Sequence, residues 1–220
     1  GYLNATAGVI LAATAPVLGA IADKNGRRKP WVAVTVMIMA AGAGLLWFVL
    51  PGGNGLGIPL TFVLLLAISV AFAISEVFHN AMLPSVAPVS RIGTVSGLAF
   101  ALGNVGGLTL MLIVLFAFAL PGTVDWPFLP EAPLLGIDQS SHEHDRIVGP
   151  VAGIWMLLFT LPVLLFTPDG VSAGTPMLKA ARQGLADVAA TLRRLRHFSN
   201  IAIGARPHRR PRRRHLDAAV

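Results

Sequence analysis

An all-α, membrane-spanning fold is what this sequence predicts, and three observations carry the expectation. Charged residues make up 12% of the 220 positions and hydrophobic ones 55%, whereas a soluble domain carries roughly 25% charged residues. The apolar residues gather into runs near the ~20 positions that a helix needs to cross a bilayer. Finally, the cations fall in alternate connections between those runs, as they do in multi-pass membrane proteins.

The runs follow in chain order. Leu3–Ala22 is the first, with Pro16 as a kink that a helical bundle tolerates. Pro30–Leu50 is the second, with Pro30 in the first turn and Trp31 and Trp47 near its ends, where indoles favour the membrane interface. Pro51-Gly-Gly-Asn-Gly-Leu-Gly is a turn. Leu60–Leu83 is the third run, closed by Pro84, and Ser90 stands where it would cap a fourth, Ile92–Leu120. Residues 121–146, rich in proline and acid, form a loop, and Ile147–Thr167 is the fifth run. Pro168-Asp-Gly then returns the chain to water. Residues 1–167 therefore form the transmembrane bundle.

Residues 168–203 read as a linker holding an amphipathic helix. Leu178, Leu185, Val188, Leu192 and Leu195 recur at helical spacing, with Arg182, Arg193, Arg194 and Arg196 among them. Residues 204–220, basic and punctuated by proline, have no apolar period and read as a disordered tail.

Charge sets the orientation. Sixteen of the seventeen Lys and Arg residues lie in loops 23–30 and 84–91 or beyond 168. The opposite side holds Arg146 alone, with Asp125, Glu131, Asp138, Glu143 and Asp145. The positive-inside rule places the C-terminal tail in the cytoplasm and Gly1 outside, in a cell membrane such as a bacterial inner membrane. An outside start with no leader pattern suggests a further helix upstream. The net charge of +7 is thus a matter of topology. No aromatic residues interleave with the basic tail, so nucleic acid is not an expected partner. The absence of cysteine excludes disulfides and thiolate chemistry.

The densest stretch is Gly19-Ala-Ile-Ala-Asp23-Lys-Asn-Gly26-Arg27-Arg28-Lys29, between the first two spans. It resembles the loop signature between the second and third helices of the major facilitator superfamily. More of the chain is similar to the vacuole effluxer-like branch: Ala15-Pro-Val-Leu-Gly-Ala-Ile-Ala-Asp23, Val77-Phe78-His79-Asn80-Ala-Met-Leu83-Pro84, Arg91-Ile-Gly93-Thr-Val-Ser-Gly97 and Gly103-Asn-Val-Gly106-Gly107. The likeness extends over residues 1 to about 203. It implies a partial major facilitator bundle, helices two to six, in a secondary transporter that moves a small solute by alternating access, with amino acids one possibility. It also implies a missing partner, the second half of the bundle, without which the chain alone does not transport. The change of character after Ile203 suggests a truncated or frameshifted gene, so the competing expectation is a non-transporting membrane fragment or scaffold.

Two groups of residues are candidates for function. The first is the loop: Gly19, Asp23, Gly26, Arg27 and Arg28. Asp23 at a helix C-terminus faces an unfavourable dipole end and wants a cation or another helix's N-terminus, Gly19 admits a close backbone, and the arginines can hold carbonyls or lipid phosphates. The resemblance makes this loop a conformational latch; without it the loop is a positive-inside anchor. The second group is Glu76, His79 and Asn80, at i, i+3 and i+4 on one face of the third span. A charge at mid-bilayer costs about 2.5–3.5 kcal/mol on insertion scales. Glu76 is therefore either a protonatable or amine-binding group in a cavity or a polar clamp between helices. Relatives commonly carry an aromatic residue at the His79 position, which weakens it as a proton relay.

On the fourth span, Gly93, Gly97, Gly103, Gly106 and Gly107 would allow close helix packing, and Asn104 either lines the cavity or bonds between helices. No Gly-Lys-Ser/Thr follows, which excludes a phosphate loop. His142-Glu-His144-Asp145 has two imidazoles at i, i+2 and no partner cluster elsewhere in the sequence, so no metal or other cofactor is expected. No set of residues suited to enzyme chemistry lies at one membrane depth.

Overall fold

The computed structural model describes residues 2–25, 27–53 and 55–169, and five further helical positions, Lys179, Arg182, Ala186, Ala190 and Arg193. At residues 13, 15–17 and 20–25 the helical backbone alone is described. Among the described residues there are helices and turns and no β-strand. They are α1 (Tyr2–Asn25), α2 (Lys29–Leu45), α3 (Gly57–Val86), α4 (Ile92–Val114), the single turn α5 (Glu143–Arg146) and α6 (Val148–Phe166).

Among the described residues, four helical stretches have the length and apolarity to cross a membrane: Lys29–Phe48, Gly57–Val86, Val89–Ala119 and Glu143–Phe166. The fold is therefore the expected all-α membrane bundle. The helix α1 runs 24 residues, of which Tyr2–Ala12 forms a shorter apolar stretch. Large side chains such as Phe100, Ile154 and Phe166 are exposed. In lipid that exposure carries no hydrophobic penalty, because the surrounding chains are as apolar as leucine.

Packing centres on α2 and α3. The helix α3 lies against both α1 and α2, and α2 also lies along α6. Leu18, Val32, Val36, Met39, Ala71, Phe78 and Met82 form the buried centre. Trp31 stacks flat on Phe78, with centroids 5.2 Å apart and planes 4° apart. The indole placed at the interface by sequence thus turns inward, where Phe78 is fully buried. The helix α4 lies at the edge, meeting α3 and α6 over short stretches.

Small residues decide where helices come close, and the glycines involved differ from those expected. On α6, Gly149 and Gly153 lie four apart and face Ala43 and Ala40 of α2. A Cβ built on Gly153 would stand 2.9 Å from the Ala40 carbonyl oxygen, and one on Gly149 would meet the Ala43 carbonyl still more closely. Four-residue spacing keeps both glycines on one face, so two backbones approach with nothing between. By contrast, a Cβ on Gly19, Gly93, Gly97, Gly103, Gly106 or Gly107 would meet nothing within 4 Å. Among the described residues the close packing expected on the fourth span is absent, since a Cβ on any of the five α4 glycines meets open space.

Two boundaries also differ. The helix α3 continues through Pro84 to Val86. Proline leaves the carbonyl one turn back without its helical donor, which a membrane helix near its end absorbs. Ser85 Oγ donates to the Met82 carbonyl (2.6 Å), and the Ala87 amide closes the last turn on Leu83 (3.2 Å). At α4, Ser90 does not act as a cap. A short 3-10 turn at Val89–Arg91 leads in, with no side-chain cap at Arg91. At its far end α4 passes into a π-helical turn, Leu115–Ala119. There Gln139 Nε2 donates to the Pro121 carbonyl (2.8 Å) and approaches those of Phe118 and Ala119 (3.3 Å each). Those are the carbonyls that a helix end leaves unpaired.

The bundle has two chemically distinct ends. At the basic end, residues 27–29 meet the exit of α6. At the acidic end, Arg146 reaches Trp47, its Nη1 donating to the Trp47 carbonyl (3.1 Å) with the guanidinium 5.0 Å above the indole centroid. This arrangement agrees with alternating loops on opposite sides of a membrane. Arg182 and Arg193 are helical and exposed. Arg194, Arg196, Leu178, Leu185, Val188, Leu192, Leu195 and the basic tail lie outside the described residues.

Candidate functional site

The loop at the basic end is built around a cap from a distant segment. Lys29 begins α2, with Pro30 in its first turn and no cap from the side chain of Arg28 itself. The first amides of any helix lack intrahelical acceptors. Here the Arg28 amide donates to Asp169 Oδ1 at 2.8 Å and the Lys29 amide to the same oxygen at 3.3 Å. A carboxylate at a helix N-terminus also meets the positive end of the dipole. Lys29 Nζ completes the clasp by donating to the Leu164 carbonyl in the last turn of α6 (2.8 Å). Cations near a helix C-terminus are favourable for the mirror reason.

Loop 27–29 is thus tied to the end of α6 by one carboxylate and one ammonium. Lys29 holds a carbonyl of α6, and Arg27, expected with Arg28 to hold carbonyls or lipid phosphates, is exposed. Asp169 was legible only as part of a Pro-Asp-Gly exit from the membrane. A cap supplied by a segment 140 positions away leaves no local sequence signature. Of the other loop candidates, Asp23 lies in the last turns of α1 with its side chain outside the described residues, as is Gly26 entirely. Gly19 is partly buried with open space at its Cβ position.

The second group lines a cavity of about 470 Å³ between α3, α4 and α6, toward the basic end. Glu76, His79 and Asn80 form its polar wall, while Val95, Ser96 and Phe100 of α4 and Val163 of α6 stand across from them. The i, i+3, i+4 spacing brings the three together as expected. Their chemistry diverges at once, however. His79 Nδ1 lies 3.0 Å from the Ser75 carbonyl oxygen and 3.2 Å from the Ser75 hydroxyl. Ser75 itself is buried against the core. One imidazole nitrogen is therefore tied down one turn back along α3, which fixes the ring rather than aiming it at Glu76. Glu76 remains exposed on the cavity face.

Asn104 is absent from this wall. Its Nδ2 donates to the Phe100 carbonyl of its own helix (2.8 Å), and the residue is exposed on the edge helix α4. Among the described residues its hydrogen bond stays within α4, and it does not line the cavity beside Glu76. The cavity is open between α3 and α4, which are in contact over only a short stretch. It can admit a small polar solute or water beside a carboxylate, between largely apolar walls.

At the acidic end, a larger cavity of about 700 Å³ lies between α2, α3 and α6, with aliphatic walls and His142, Asp145 and Arg146 at its rim. None of the expected solute-site residues lines it.

Comparison with known proteins gives three findings. The family model described as "Vacuole effluxer Atg22 like" matches residues 1–203. Over 164 residues the chain is 29% identical to an uncharacterized MFS-type transporter, YxiO, of Bacillus subtilis (strain 168). That alignment covers 74% of this chain and 35% of the relative, so the chain spans about a third of the length of the curated protein it matches. No solved structure matches.

Proposed function

The chain belongs to the vacuole effluxer Atg22-like family, and from that premise we propose that it forms part of a secondary transporter that moves a small solute across a cell membrane. The observation that carries the proposal is the placing of Glu76 and Asn80 on the wall of a cavity between α3, α4 and α6. An ionisable side chain kept within a membrane span is costly and faces a pathway or cavity by default. Glu76 binds the cation of the solute, or a proton that travels with it, and Asn80 offers a neutral donor and acceptor beside it. Amino acids, which carry an ammonium group that a carboxylate recognises, are the solute class that this wall fits.

Alternating access supplies the mechanism. In such transporters the solute sits near mid-membrane between two bundles that rock against each other. The cavity wall formed by α4 is the open side here, and its unpartnered glycines support a second set of helices closing over it. The clasp of Asp169 and Lys29 on loop 27–29 holds the basic end of this half together as a rigid body. Orientation follows from charge, with the basic end in the cytoplasm of a bacterial cell. Neither a metal nor an organic cofactor is required for this work, and no enzymatic step is assigned.

Flux measurement in proteoliposomes tests the proposal. Labelled amino acids are to enter saturably when the complete reading frame that contains this chain is reconstituted, and not when the 220-residue chain is reconstituted alone. Saturable flux through the chain alone would remove the need for a second half. Its absence from both preparations would favour a non-transporting membrane component.

A further inference from the structure

We propose that His142, His144 and Asp145 form a binding site for a divalent transition-metal ion of the Zn²⁺ class at the acidic end of the bundle. In sequence these residues are two imidazoles at i, i+2 with a carboxylate beside them, a spacing that does not by itself converge. The structure makes them converge. One ligand atom from each lies within 4.8 Å of the others. His142 Nδ1 stands 3.3 Å from Asp145 Oδ2, and His144 Nε2 stands 3.6 Å from Asp145 Oδ1. A tetrahedral ion with bonds of about 2.0–2.1 Å separates its ligand atoms by about 3.3–3.4 Å. The His142 separation already matches that edge, the His144 separation, to the other carboxylate oxygen, is slightly longer, and the two rings face each other 5.9 Å apart, inclined by 25°.

The backbone explains the convergence. His142 adopts the left-handed conformation, φ 57° and ψ 30°, which non-glycine residues seldom take. That reversal swings its imidazole over the following turn, onto the carboxylate three positions on. The surrounding turn is braced independently. The Asp138 amide donates to Glu143 Oε2 (2.9 Å), and the Glu143 amide donates to the Asp138 carbonyl (3.1 Å). The amide and hydroxyl of Ser140 donate to Asp138 Oδ1 (2.8 and 2.7 Å). Glu143 is further engaged by Arg146, 3.6 Å away. The neighbouring carboxylates are thereby committed to the turn, while His142 and Asp145 stay exposed and His144 half-buried. Three ligands held on one rigid turn lose little freedom on binding an ion.

Ligand chemistry selects the ion. Two neutral imidazoles and one carboxylate suit Zn²⁺, Co²⁺, Ni²⁺ or Cu²⁺, whereas Mg²⁺ and Ca²⁺ require oxygen-rich shells. Three protein ligands leave a fourth position for water. The site also has a place in the fold. His142 and Asp145 border the 700 Å³ cavity, and His144 and Asp145 border a second cavity of about 340 Å³ between α4 and the start of α6. A bound ion would staple this turn between the two openings.

The test uses the full chain in lipid nanodiscs, titrated with Zn²⁺ by calorimetry and with Co²⁺ by its visible ligand-field spectrum. One saturable equivalent is expected, weakened by about 100-fold or more in His142→Ala/His144→Ala and by at least about tenfold in Asp145→Asn. Replacing the histidines at 79, 197, 208 and 215 with alanine is expected to leave it intact. Helix content by circular dichroism is expected to be the same in every variant, which separates loss of ligation from loss of fold. The proposal is overturned if the wild-type chain shows no saturable Zn²⁺ site. It is equally overturned if the site survives the double substitution, or if equimolar Mg²⁺ or Ca²⁺ displaces the ion.

Discussion

Asp169 Oδ1 accepts hydrogen bonds from the amides of Arg28 and Lys29, at 2.8 and 3.3 Å, so the residue that follows the last described span caps the second helix. With Lys29 Nζ on the Leu164 carbonyl, it makes the basic end of α2 and the exit of α6 one unit.

Removing that cap is expected to destabilise the bundle. Asp169→Ala should cost about 1 kcal/mol, the usual effect of losing an N-cap acceptor, whereas Asp169→Asn, which can still accept both bonds, should cost a few tenths. Reversible unfolding in mixed micelles checks this. Equal losses for both variants would show that charge pairing, rather than capping, is what Asp169 supplies.

The contact between α2 and α6 depends on absent side chains. Gly149→Ala places a methyl group against the Ala43 carbonyl, and Gly153→Ala places one 2.9 Å from that of Ala40. Each should destabilise the chain by about 1–3 kcal/mol through overpacking. Gly106→Ala on α4, where a Cβ meets nothing within 4 Å, should stay within about 0.5 kcal/mol. The same unfolding assay separates the two classes, and a larger loss at Gly106 than at Gly149 would contradict the assigned packing.

These glycines show what was and was not legible. Length, apolarity and the alternation of charge were enough for the all-α membrane-spanning class, because each is a local property that a bilayer demands. Which small residues touch is a tertiary matter. Five glycines on α4 make a more conspicuous stripe than two on α6, yet Gly149 and Gly153 are the pair facing another backbone. The same holds at the candidate site. Glu76, His79 and Asn80 share a wall because helical spacing dictates it. Asn104 bonds its own helix at Phe100, and the role of Asp169 is invisible without the fold. His142 reaches Asp145 only because its backbone turns left-handed, which sequence does not announce at a histidine.

Acid should loosen the turn that follows residue 137. The hydroxyl and amide of Ser140 hold the Asp138 carboxyl below its usual range. A carboxylate whose folded pKa is depressed stabilises its structure above the unfolded value, near 3.9, and loses that contribution as pH falls through the lower folded value. Hydrogen exchange at the Ser140 amide should therefore be slow at pH ~5, relative to its intrinsic rate, and lose its protection below pH ~4. Asp138→Asn should remove most of this pH dependence; a change persisting in that variant would place its origin elsewhere.

His79 should matter less than its position suggests. Its Nδ1 is engaged by Ser75, so His79→Phe, which keeps the ring and removes the proton-carrying nitrogens, should leave transport and its pH dependence within about twofold of wild type. A loss of about tenfold or more with normal membrane abundance would give His79 a relay role.

The account turns on Glu76, and one comparison tests it most directly. Cells or proteoliposomes carrying the complete reading frame are assayed for uptake and efflux of labelled amino acids across a range of pH, with wild type beside Glu76→Gln at matched membrane abundance. Saturable, pH-dependent flux is predicted for wild type. In the variant it should fall by about tenfold or more, with its pH dependence flattened. Unchanged flux and an unchanged pH profile in Glu76→Gln would contradict the assignment and leave the carboxylate as a clamp between helices.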